Sequence, residues 1–232
     1  MMARIRPIQP ELSKLNKPFG FRSFYPDNIS DADTQVTDHA GYVRMAGSTD
    51  DIDYYWDTLI IAVSGISSPK SAPEGGGIQG YRASYGIWVG ETGTPAGDDW
   101  NCVGRLHSAI TNNAWPITRR AELVATVRGV LTAQNIAHQF RPRAVVIKTD
   151  SKYVATRFLG ELYPWRKNKW KYPDGNVVMY SDLWRTLDRE VADLKSRGIY
   201  VDFYLVSTES NLNALHLARC AMNNLPRSTG AP

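Results

Sequence analysis

The 232-residue sequence has only two cysteines, Cys102 and Cys220, too few for a disulfide scaffold or a cysteine-built zinc site. It has no apolar run approaching the ~18 residues of a membrane span, and the opening MMARIRPIQPELSK lacks the apolar stretch of a secretion signal. An intracellular protein of nucleus or cytoplasm, without a membrane partner, is the expectation. His39, His107, His138 and His216 are scattered without metal-ligand spacing. There is no internal repeat. Disorder is excluded by what is present: 43% hydrophobic against 22% charged residues is enough to bury a core. The length fits one α/β domain with an added arm.

The net charge of +4 is unevenly placed. Residues 1–57 carry 6 of the 27 basic and 9 of the 23 acidic residues, a net of −3. The remainder holds 21 basic and 14 acidic residues, a net of +7. That shift suggests a boundary near Asp57, with an irregular acidic arm over 1–57, a domain over 58–225 and a flexible tail over 226–232. A basic domain is compatible with a nucleic-acid partner but does not require one.

Within the domain, TLIIAVSGI (58–66) reads as a buried strand, and YRASYGIWVG (81–90) and WNCVGRL (100–106) as two more. Leu123, Val127, Val130 and Leu131 form one apolar stripe, predicting a helix from Thr118 with that residue as its N-cap. AVVIKT (144–149) predicts a strand ending at Asp150, and a short helix follows from Ser151. Ser181–Gly198 predicts a helix with Ser181 as cap and Gly198 as stop, then a strand over 199–206 and a helix over 211–222. Gly75-Gly76-Gly77-Ile78-Gln79-Gly80 matches a dinucleotide-binding fingerprint, but it lies between a Ser/Pro loop and a strand, where the fingerprint has no helix to serve.

Two carboxylates stand out. Glu122 lies early on a helix that would pack on a sheet, and Asp150 lies where a buried strand meets a helix. Acids at such places converge at the carboxyl edge of an α/β sheet, where ligands bind. On their own, such residues are more often ordinary helix-end caps.

The words around them carry a resemblance. Pro116-Ile117-Thr118-Arg119-Arg120-Ala121-Glu122-Leu123 and Ile147-Lys148-Thr149-Asp150-Ser151-Lys152-Tyr153-Val154 resemble the two central motifs of the type 1 ribonuclease H family. The likeness continues through Trp165-Arg166-Lys167-Asn168-Lys169-Trp170 and Ser181-Asp182-Leu183-Trp184, and ends at Asn211-Leu212-Asn213-Ala214-Leu215. It spans about residues 58–222. The fold it implies is a ribonuclease H-like α/β domain, a five-stranded mixed sheet with helices on both faces, plus the N-terminal arm.

The activity it implies is hydrolysis of the RNA strand of an RNA–DNA hybrid, using two Mg²⁺ (or Mn²⁺) ions held by four carboxylates about 3.5–4 Å from metal to metal. Matched position by position, Glu122 and Asp150 are the second and third ligands. The other two positions depart: the family's Thr-Asp-Gly is Val63-Ser64-Gly65, and its final Asp is Leu215. Arg119 replaces an Asn that contacts the hybrid, and Tyr180 stands where an Asn is common. The pattern is that of a degenerate member, with Glu122 and Asp150 as remnants of the catalytic and metal site and no stably bound cofactor expected. Arg119, Arg120, Trp165, Arg166, Lys167, Lys169, Trp170 and Lys171 are candidate nucleic-acid contacts, since cations neutralise phosphates and flat rings stack on bases. Internal packing of the tryptophans remains open. The partner expected is a hybrid or double-stranded RNA. The alternatives are an active ribonuclease H and a scaffold for a protein partner.

Overall fold

The computed structural model describes residues 34–36, 42–46, 52–71, 78–90, 95–106 and 114–224. One strand, β3 (Ile52–Ser71), is the spine of a seven-stranded sheet that also contains β1 (Thr34–Val36), β2 (Tyr42–Ala46), β4 (Ile78–Trp88), β5 (Cys102–Leu106), β6 (Ala144–Thr149) and β7 (Tyr200–Leu205). β4 runs antiparallel to β3 and β5 antiparallel to β4, while β6 and β7 add in parallel on the other side. These five strands form the expected mixed sheet. The parallel half requires helical crossovers, and the chain supplies them.

Those helices are α1 (Pro95–Trp100), α2 (Ala114–Phe140), α3 (Lys152–Gly160), α4 (Leu162–Lys167), α5 (Ser181–Ser196) and α6 (Leu212–Asn223). The sheet's two faces are covered by different helices. A Cβ added at Gly129 of α2 would lie 2.5 Å from Val63, so α2 packs on the face of Ile61 and Val63. Ser64 points to the opposite face and pairs across the sheet with Gly86, where an added Cβ would meet the Ala214 carbonyl of α6 at 2.2 Å. Ser84, on that same face, donates to the Ala218 carbonyl of α6. Leu59, Ile61, Val63, Val145 and Ile147 join Leu123, Val130 and Phe203 in one buried core.

Several boundaries differ from the sequence reading for identifiable reasons. The segment read as an irregular arm contributes β1, β2 and the first six residues of β3; Ile52-Asp53-Tyr54-Tyr55-Trp56 is rich in strand-forming aromatics despite Asp53. Pairing of β2 with β3 therefore crosses the boundary placed at Asp57. Helix α2 starts at Ala114, not Thr118, because Pro116 falls in the first turn, where its missing N–H has no partner to lose. Thr118 is then inside the helix, and its hydroxyl lies 2.6 Å from that of Ser67. Tyr180, in a left-handed conformation, takes the N-cap position of α5 without a side-chain capping bond, and Ser181 is the first residue of the helix. Gly198 stops α5 as anticipated: at φ +79° it donates to the Lys195 carbonyl. The tail over 226–232, His39 and His107 lie outside the described residues. Among the described residues no helix is long and apolar enough to cross a membrane.

Gly65 makes a backbone-to-backbone contact between layers as close as that of Gly86. A Cβ at Gly65 would fall 2.2 Å from both the Ala121 carbonyl carbon and the Glu122 nitrogen. Backbone cannot rotate away as a side chain can, so Gly65→Ala must push α2 off the sheet. A loss of about 1–3 kcal/mol in denaturant unfolding is expected, as for other overpacked cores. A change below about 0.5 kcal/mol, the range of neutral surface substitutions, would show that α2 can yield.

Candidate functional site

The site lies where the parallel pairing of β3 with β6 ends, at the carboxyl end of β6 and part-way along β3. Val63 of β3 pairs with Thr149 of β6, so the next residues, Ser64 and Asp150, emerge side by side. Gly65 lets the α2 backbone reach the sheet and thereby delivers Glu122 to the same edge. Asn211, buried at the start of α6, completes the group: its Nδ2 donates to the Val63 carbonyl and to Asp150 Oδ1, both at 3.0 Å. Because both partners are acceptors, the amide orientation is determined. Its Oδ1 is buried with no hydrogen-bond partner among the described residues. The hydroxyl of Ser64, buried beneath α6, is likewise unpartnered there.

Each carboxylate is held by a neutral donor. Ser151 Oγ donates to Glu122 Oε2 at 2.7 Å, and the same oxygen accepts from the Val154 N–H at 3.2 Å, capping α3. One hydroxyl thus ties α2 to the start of α3. Burial raises the Glu122 carboxyl above its ordinary value; the Ser151 hydrogen bond opposes this, the negative charge of Asp150 adds to it, and the Arg119 guanidinium opposes it. Leu215, one turn along α6 from Asn211, is 6% exposed and belongs to the packed side of that helix. Glu209 lies exposed in the short turn before α6. Among the described residues no three His, Cys, Asp or Glu side chains gather as a metal cluster.

The basic segment divides into parts that face inward and outward. Trp165, named above as a stacking candidate, is 4% exposed, with its ring edge-on to Trp184 and Tyr172 at centroid distances of 5.3 and 6.2 Å. It is a core residue because α4 turns its apolar side to α5, so it offers no face to a nucleic acid. Arg166 forms a two-pronged ion pair with Asp188. Lys167 lies over the Tyr163 ring at 4.6 Å, and Trp170 is half-buried with Arg185 at 5.6 Å from its ring. Lys169 and Trp170 both adopt positive φ, +54° and +62°, an arrangement that exposes Lys169 and Lys171 on a tight loop. Arg120 is exposed beside Tyr180, at 5.7 Å, and Arg119 lies 4.5 Å from the Tyr153 ring.

Sequence reasoning missed three contributors. Asn211 was legible as part of the family word, but its double bond to strand and carboxylate was not. Ser151 directly follows Asp150, yet nothing in the sequence ties it to Glu122, 29 residues away. Tyr153 reads as an ordinary helix residue until Arg119 and Arg157 are seen against its ring.

Two measurements follow from this geometry. A carboxyl whose pKa is higher folded than unfolded costs nothing below its unfolded value and increasingly destabilises as pH rises through the folded one. Glu122→Gln keeps an acceptor for Ser151, so it should unfold at a higher temperature than wild type near pH 7, with the gain vanishing near pH 4; equal melting at both would refute the burial cost. Leu215→Asp should cost about 2–5 kcal/mol at neutral pH, by losing buried apolar contact and burying a charge. An unchanged melting temperature would mean that α6 accommodates the acid.

No family model matches the chain. It is similar to ribonuclease H of Rhodospirillum rubrum, 33% identical over 101 residues, covering 42% of this chain and 57% of that protein. Ribonuclease H of Vibrio campbellii is 30% identical over 118 residues, covering 51% of this chain and 68% of that protein. Among solved structures, the foamy viral protease-reverse transcriptase in complex with dsDNA aligns with a TM-score of 0.52 at 21% identity, over 72% of this chain and 94% of that one. The same kind of viral enzyme in complex with an RNA/DNA hybrid aligns with a TM-score of 0.50 at 18% identity, over 94% of this chain and 24% of that one. The fold agrees with these structures and the bacterial relatives carry the assignment: the chain belongs to the ribonuclease H family.

Proposed function

We propose that this chain binds nucleic acid, an RNA–DNA hybrid or double-stranded RNA, without cleaving it. The carrying observation is the donor set at the sheet edge. Two magnesium ions held close together bring four positive charges and need several anionic oxygens in near-octahedral geometry. This edge offers two carboxylates, Glu122 and Asp150, with a neutral Ser64 hydroxyl at the family's first acid position and apolar Leu215 at its last. A hydroxyl cannot bridge two dications as a carboxylate does, and Leu215 supplies no donor. The residues present do not fit a two-magnesium centre.

Binding is supported on other grounds. The relatives are ribonucleases H, and the foamy viral neighbours are seen with dsDNA and with an RNA/DNA hybrid. Arg120, Lys167, Lys169 and Lys171 leave exposed positive charge on the part of the chain that carries the net of +7. Backbone neutralisation of this kind reads shape more than sequence and weakens with salt.

Incubation with a labelled RNA–DNA hybrid in Mg²⁺ or Mn²⁺ should leave the RNA intact, while filter binding should detect a complex whose affinity falls as salt rises. Efficient cleavage that disappears in Glu122→Gln would overturn the proposal and restore the active ribonuclease H. Absence of any salt-dependent binding would leave a protein scaffold in its place.

A further inference from the structure

Arg157 belongs to no motif of the sequence reading, yet it occupies a central position beside the site. It lies in the last turn of α3, with its guanidinium 4.9 Å from the Tyr153 ring centroid and 5.9 Å from that of Trp165. Arg119 approaches the same Tyr153 ring at 4.5 Å, and Arg120 lies beside Tyr180. Tyr153 therefore lies between two guanidinium groups, with Arg120 and Tyr180 adjoining on the Arg119 side, near Glu122, and the buried Trp165 on the Arg157 side. Two cations sharing one ring repel each other unless negative charge lies nearby. For Arg119 that charge is Glu122, one turn further along α2, which its guanidinium stabilises as the anion. For Arg157 it is Glu161, at 2.9 Å, with the two side chains 26% and 44% exposed.

As a surface pair four residues apart on a helix, Arg157–Glu161 would contribute about 0.3–0.5 kcal/mol, and nothing more would need saying. The rings change its meaning. A guanidinium held against aromatic faces has lost its rotamer freedom before any ligand arrives, and its in-plane N–H donors suit a phosphate fork. Five donors exceed what one carboxylate oxygen can accept. Glu161 is the more exposed partner, so a phosphate can take its place while the stack stays in position.

Resting on the nucleic-acid reading above, we propose that Arg157 grips a backbone phosphate of the bound strand and that Glu161 is its intramolecular competitor. The strand then runs over Tyr153 toward the two carboxylates, with Arg119 and Arg157 offsetting the repulsion between those carboxylates and its phosphates. Nucleic acid is favoured over an acidic peptide because half-buried aromatic surface lies between the cations, matching a ligand that alternates charge with flat rings.

The test is fluorescence anisotropy of the full chain with a labelled RNA–DNA hybrid at two salt concentrations. Arg157→Met keeps the stem over the rings but removes the charge. It should weaken binding about tenfold and flatten the salt dependence by about 0.9 in the slope of log affinity on log salt, the loss of one phosphate contact. Glu161→Gln should tighten binding several-fold, a gain that damaged folding cannot produce. If wild type binds and neither variant changes affinity or slope, the assignment of Arg157 falls while the nucleic-acid reading stands. If wild type fails to bind at low salt, both fall together. Poly-glutamate bound as tightly as the hybrid, with the same dependence on Arg157, would make this an acidic-protein site and overturn the proposal.

Discussion

The approach of α2 to β3 at Gly65 is the contact on which the site depends. Without a side chain there, the helix backbone at Ala121 and Glu122 comes within van der Waals reach of the strand. That proximity places Glu122 at the sheet edge while leaving Val63 and Ile61 packed beneath the helix. The second layer obeys the same rule on the opposite face, where Gly86 admits α6 and brings Asn211 to Val63 and Asp150. Two missing side chains thus allow two helices to meet at one edge.

Electrostatics at that edge are arranged with restraint. Glu122 and Asp150 repel each other, and each accepts from a neutral donor that also serves the backbone: Ser151 caps α3, and Asn211 holds β3. Buried polar groups that carry several bonds stabilise mainly by avoiding the cost of leaving partners unmet. The Ser64 hydroxyl and Asn211 Oδ1 stand out against that thrift. Positive charge is supplied from outside the pair, by arginines resting on tyrosines, where ring faces hold them in place.

The central elements were legible because their patterns are strong. The apolar stretch of β6, the stripe of α5 and the stop at Gly198 each satisfy one local rule, and the structure follows them. Local rules failed where two competed. The acids of 50–57 disguised a strand built on Ile52, Tyr54, Tyr55 and Trp56, and Thr118 looked like a cap although the helix already begins at Ala114. Trp165 and Trp170, similar in sequence context, part because Trp165 lies within α4 and Trp170 in the left-handed loop after it: one is core and the other half-exposed.

By itself the sequence determined composition, charge placement, most elements and the identity of each acid, because these are properties of residues or of near neighbours. It therefore already contained Ser64 and Leu215 in place of carboxylates. Tertiary structure decided which groups meet. Ser151 with Glu122, Asn211 with Val63 and Asp150, and two arginines on one tyrosine all join residues on different elements, and no local pattern encodes such distances. The reason is physical: hydrogen bonds and ring contacts act over a few ångströms of space, and only the packing of α2 and α6 on β3 brings distant parts of the chain within that range.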